Sequence, residues 1–93
     1  MAEDTIAFPD LGFMDQVEAL LPTLGLPPST EFDVEPALDY PGQQVAIDLY
    51  APTEDLLRAA VETIRDAIFH HYRIATRTSS ELDRELLAKR ASA

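Results

Sequence analysis

Between Glu31 and Ala51 the chain changes character at every second residue, and no other feature narrows the fold so far. Phe32, Val34, Leu38 and Tyr40 alternate with Glu31, Asp33, Glu35 and Asp39, and Val45, Ile47, Leu49 and Ala51 resume the pattern further on. A period of two places apolar side chains on one face of an extended strand and polar ones on the other. Pro41-Gly42 marks a turn, so strands at about 31–40 and 43–51 are expected to form a hairpin. Pro36 has no N–H to give a ladder, which assigns the first strand to a sheet edge. A turn centred on Pro41-Gly42 sets Leu38 opposite Val45, Pro36 opposite Ile47, Val34 opposite Leu49 and Phe32 opposite Ala51. It also sets Glu35 opposite Asp48. A slip of one residue would turn every apolar side chain outward.

The rest of the chain reads as helix. Thr53 is a good N-cap, and Glu54 and Asp55 put negative charge at the positive end of a helix dipole. Leu57, Val61, Ile64, Ile68 and Tyr72 follow at helical spacing, so a long helix is expected over about 53–77. A shorter one, about 10–21, starts at Asp10, carries Phe13, Val17, Leu20 and Leu21, and stops at Pro22. Thr78 and Glu81 fit a capping box for a final helix over about 79–90. Residues 1–9 and 91–93 read as loose tails, although Ile6 and Phe8 offer anchors. The expected fold is α+β: a β-hairpin packed on the long helix, flanked by the two shorter ones. Its core should contain Val34, Leu38, Val45, Ile47, Leu49, Leu57, Val61, Ile64 and Ile68. Ninety-three residues suit one small domain.

Charge is distributed very unevenly. Residues 1–57 hold twelve carboxylates and no Lys or Arg, whereas residues 58–93 hold five carboxylates and all seven basic side chains. The halves therefore carry −12 and +2, which sum to the net −10. Phosphates would be repelled by the first half, so direct nucleic-acid binding and anionic membranes are not expected partners. A protein with a basic surface is. The row Glu31, Asp33, Glu35, Asp39, with Asp48 and Tyr50 from the second strand, forms the expected binding face. Carboxylates at alternate strand positions stand about 6.6 Å apart, and such a row can imitate phosphates for a Lys/Arg-rich surface. Charge on an edge strand also serves simply to discourage aggregation.

Other chemistry finds little support. There is no cysteine, so disulfides, thiolate nucleophiles and cysteine-ligated zinc are excluded. Three glycines make no phosphate loop, and no nucleophile-elbow motif occurs. Asp66 and His70 share a helix face at i, i+4, but zinc usually takes three or four protein ligands. His71 falls at the margin of the apolar stripe, where partial burial is expected. Arg58, Arg65, Arg73 and Arg77 flank the long helix, where Glu62 and Asp66 can pair with them. Neither an enzyme nor a cofactor is therefore expected. The acidic start lacks the basic and apolar regions of a secretory signal, and no run approaches the roughly 18 apolar residues of a spanning helix. A cytoplasmic protein is the expectation.

The reading is a small acidic inhibitor or regulator that occupies a basic, nucleic-acid-binding surface of its partner. Inhibitors of bacterial defence nucleases, antitoxins and immunity proteins share this size and charge. The alternative is a non-catalytic accessory subunit docked through apolar surface, with Phe13 and Phe69 as its expected anchors. A two-stranded sheet alone is marginal, and homodimerisation through the hairpin edge would complete it.

Overall fold

The computed structural model describes residues 1–37 and 42–92. Its elements run β1 (Ala2–Phe8), α1 (Met14–Leu20), β2 (Glu31–Pro36), β3 (Val45–Ala51), α2 (Glu54–Tyr72), β4 (Arg77–Thr78) and α3 (Ser79–Ser92). Short 3-10 turns at Leu11–Phe13 and Leu21–Thr23 flank α1. The strands form one antiparallel sheet in the order β2-β3-β1-β4. The α+β class and the hairpin against a long helix match the sequence reading. Strands β1 and β4 depart from it.

The larger correction concerns residues 1–9, expected to be a loose tail. They supply β1, which lies between β3 and β4 and buries Ile6, Ala7 and Phe8 completely. Ala2, Asp4, Ile6 and Phe8 face the core, and Glu3, Thr5 and Ala7 face away. Asp4 spoils the alternation, because a carboxylate stands where an apolar residue belongs. Its Oδ1 accepts from the Ser79 hydroxyl at 2.7 Å and the Thr5 N–H at 2.8 Å, so the charge is satisfied where it sits.

The hairpin keeps the expected faces but not the expected register. Val34 pairs with Ile47, Phe32 with Leu49 and Pro36 with Val45, a slide of two residues along the ladder. Asp33, not Glu35, therefore stands opposite Asp48. A two-residue slide preserves side-chain parity, which is why the facing survived. The Ala37 N–H donates to the Gln44 carbonyl at 2.9 Å, one step beyond Pro36–Val45 in the same register. Leu38, Asp39 and Tyr40 lie outside the described residues.

Thr53 caps α2 as read, accepting from the Leu56 N–H at 3.2 Å. The helix stops at Tyr72, short of the expected residue 77, because Arg73 adopts a left-handed conformation (φ 57°) that ends it. Arg73 lays its guanidinium 5.7 Å from the Phe69 ring centre, and the chain then extends into β4. Asp10 accepts from the Gly12 N–H at 3.0 Å, capping a 3-10 turn rather than α1 itself. The α-helix ends at Leu20, ahead of Pro22.

Val17 and Leu21 join Leu57, Val61, Ile64 and Ile68 of α2 on one side of the sheet, against Ile6, Phe8, Val45, Ile47 and Leu49. Of the expected core residues described, only Val34 is half-buried rather than buried.

The expected pairing of arginines with Glu62 and Asp66 gives way to other partners, most of them on other elements. Arg65 donates to the Thr76 hydroxyl at 3.0 Å and its carbonyl at 3.2 Å, and pairs with Glu81 at 2.8 Å. Arg77 pairs with Glu85 at 2.9 Å, and Arg58 with Asp55 at 3.9 Å. The capping box is present in both directions: Glu81 N–H donates to the Thr78 hydroxyl at 3.3 Å, and Thr78 N–H to Glu81 Oε1 at 3.4 Å. Burial alone would raise the Glu81 carboxyl. The Thr78 N–H, the Arg65 guanidinium and the Thr78 hydroxyl outweigh it and hold the group below its ordinary value of 4.5. A depressed carboxylate adds stability above its unfolded pKa and loses it as pH falls through the folded one. Urea unfolding should therefore show Glu81→Gln to be about 1–2 kcal/mol less stable than the parent near pH 7. The gap should narrow steadily below pH 4.5. An equal gap at both ends of the titration would show that the charge of Glu81 does not stabilise the fold.

Candidate functional site: an acidic sheet face

Both α1 and α2 pack on one face of the sheet, and the other face carries the charge. Because opposed residues share a face, the register builds it in three cross-strand rows. The first is Glu31, Tyr50, Glu3, and the second is Asp33, Asp48, Thr5. The third is Glu35, Ala46, Ala7, Arg77. The alanines of the third row are buried. Glu3, Glu31, Asp33 and Glu35 are exposed, and Asp48, Tyr50 and Thr5 are half-buried. Neighbouring strands lie about 4.8 Å apart, so carboxylates from three strands occupy one patch.

The only cation in these rows, Arg77, stands three strands from Glu35 and pairs with Glu85. The direct Asp33–Asp48 opposition costs a few tenths to about 1 kcal/mol. Asp48 is held in place by the Thr5 hydroxyl, which donates to its Oδ1 at 2.8 Å. Tyr50 reports the resulting field. Its hydroxyl is pushed above its ordinary value, first by Asp48, then by loss of hydration, then by Glu3, Asp33 and Glu35. The phenol is a hydrogen-bond donor set among carboxylate acceptors. Beside it a cleft of about 290 Å³ opens between Tyr50, Asp48 and Thr5 and the start of α3 at Ser79.

Glu31, Asp33, Glu35, Asp48 and Tyr50 are thus brought together as the sequence implied. Asp39 lies outside the described residues. Glu3 and Thr5 were missed, because they sit on the strand mistaken for a tail. The alternation of Ile6 and Phe8 with Thr5 and Ala7 is the signal that would have found them.

Asp66, His70 and His71 are all exposed on α2, which corrects the expected partial burial of His71. Among the described residues, no group of three or more His, Cys, Asp or Glu is placed to hold a metal ion. Among the same residues, no helix is long and apolar enough to cross a membrane. Comparison with family models, curated proteins and solved structures finds no match to the chain.

Proposed function

We propose that this chain is a small acidic binding protein whose charged sheet face occupies a basic, nucleic-acid-binding surface of a partner protein. Inhibitors of bacterial defence nucleases, anti-CRISPR proteins among them, and antitoxin and immunity proteins share this build, a likeness of size and charge alone. The observation that carries the reading is the convergence of carboxylates from three strands around Tyr50. A solubilising surface needs charge, but not a like-charged pair set directly across a ladder at a cost in stability. Function would explain why the cost is tolerated.

A second reading, an accessory subunit docked through apolar surface, draws on Phe69 and Leu87, which are 53% and 62% exposed. Phe13 contributes less to that surface, being half-buried with its ring 4.9 Å from that of Tyr72.

Salt separates the two. Partner protein captured from the native host should bind progressively more weakly as ionic strength rises, and duplex DNA should compete with it. Affinity indifferent to salt, with no competition by DNA, would overturn the electrostatic reading and favour the apolar one.

A further inference from the structure

We infer that β2 accepts an extended strand of the partner along its outer edge, a strand in which Lys or Arg alternates with apolar residues. The sign of the partner's charge rests on the proposed electrostatic function; the mode of binding rests on backbone geometry. The Ala37 N–H donates to the Gln44 carbonyl, while the Gln44 N–H turns to the Phe8 carbonyl; that one bond, in register with β2–β3, points Ala37 toward β3 and sets the phase of the ladder. Bonded and non-bonded pairs alternate, so Glu35, Asp33 and Glu31 exchange bonds with β3, while Phe32, Val34 and Pro36 direct their backbone groups away from it. β2 is the terminal strand on that side. Among the described residues nothing bonds to the outward N–H and C=O of Phe32 or Val34. Pro36 has no N–H to offer, which ends the available ladder at one side and costs the protein's own sheet nothing.

Two side-chain patterns then specify the occupant. On the acidic face, an added strand would set its residues about 5 Å from Glu31 and Asp33, where basic side chains complete cross-strand pairs. On the other face it would cover the half-exposed flanks of Phe32 and Val34, where apolar residues fit. A second copy of this chain is a poor occupant. Antiparallel pairing of β2 with itself, keeping apolar residues on the core face, sets carboxylate against carboxylate along the edge. Strand addition of this kind takes affinity from the main chain and specificity from alternate side chains.

The test uses two synthetic hexapeptides of equal composition: one alternating Lys and Val, the other with its three Lys and three Val in separate blocks. The alternating peptide should bind about tenfold more tightly, and it should slow hydrogen exchange of the Phe32 and Val34 amides. Val34→Pro removes an outward N–H while leaving the β3 ladder whole, so it should fold normally yet weaken the alternating peptide about tenfold. Equal binding of the two peptides would overturn strand addition, as would unprotected Phe32 and Val34 amides in the unmodified protein. The exchange measurement decides the matter even if Val34→Pro fails to fold. Neutralising Asp33, Glu35 and Asp48 isolates the charge reading. Loss of the peptide there, with full binding to Val34→Pro, leaves the acidic face standing and overturns the strand mode. The converse result keeps the strand mode and removes the charge reading.

Discussion

Replacing Phe8 with alanine should cost about 3–5 kcal/mol of folding stability, the range for a large aromatic taken from a packed interior. The ring is completely buried, and it lies opposite Val45 across the β1–β3 ladder. The Phe8 carbonyl also accepts from the Gln44 N–H at 3.0 Å, which ties the end of β1 to the start of β3. A chain of this size typically has about 5–15 kcal/mol in total, so the loss is a large share of it. Urea unfolding measures it directly, with Phe69→Ala as the control. Phe69 is 53% exposed, and its truncation should cost much less. A loss below about 1 kcal/mol at Phe8 would mean that the first strand is not part of the cooperative fold.

That prediction is the one the sequence alone would not have made, and the reason is physical. Period-two patterning identifies a strand when each polar residue falls on the solvent side, as it does from Glu31 to Glu35. In β1 the pattern is cut by Asp4, half-buried on the core side, where its carboxylate takes, beside the hydrogen bond from the Thr5 N–H, one from Ser79, seventy-five positions away. Nothing local reveals such a partner. The same limit explains β4, two residues long and defined wholly by pairing with Ile6 and Ala7. It also explains Arg65, which ignores its helical neighbours for Glu81. Caps were legible, because Thr53–Leu56 and Thr78–Glu81 are satisfied within one turn. The acidic face was legible for a different reason. Parity alone decides which side chains share a face, so even a register off by two residues gathered the right carboxylates. It named the wrong opposed pair, setting Glu35 rather than Asp33 against Asp48.

Changing Asp33, Glu35 and Asp48 together to Asn, Gln and Asn should move binding and stability in opposite directions. If these carboxylates are desolvated against Lys and Arg of the partner, their loss should weaken the complex by several kcal/mol, mostly through faster dissociation. At a wet rim the loss should be nearer 1 kcal/mol and appear in the association rate. The fold itself should gain a few tenths to about 1 kcal/mol, because the Asp33–Asp48 repulsion is relieved. The amide introduced by Asp48→Asn retains an oxygen for the Thr5 hydroxyl, so that contact need not be lost. Tyr50 supplies an internal check that needs no partner. Of the carboxylates that raise its hydroxyl, Asp48, Asp33 and Glu35 are removed and only Glu3 remains. Its titration, isolated by comparison with Tyr50→Phe in each background, should therefore fall back toward the ordinary tyrosine value. A Tyr50 that titrates as before would show that the three carboxylates do not converge on it. Unchanged affinity despite a shifted Tyr50 would confirm the geometry while removing its function, leaving the exposed surface of Phe69 and Leu87 as the place to look.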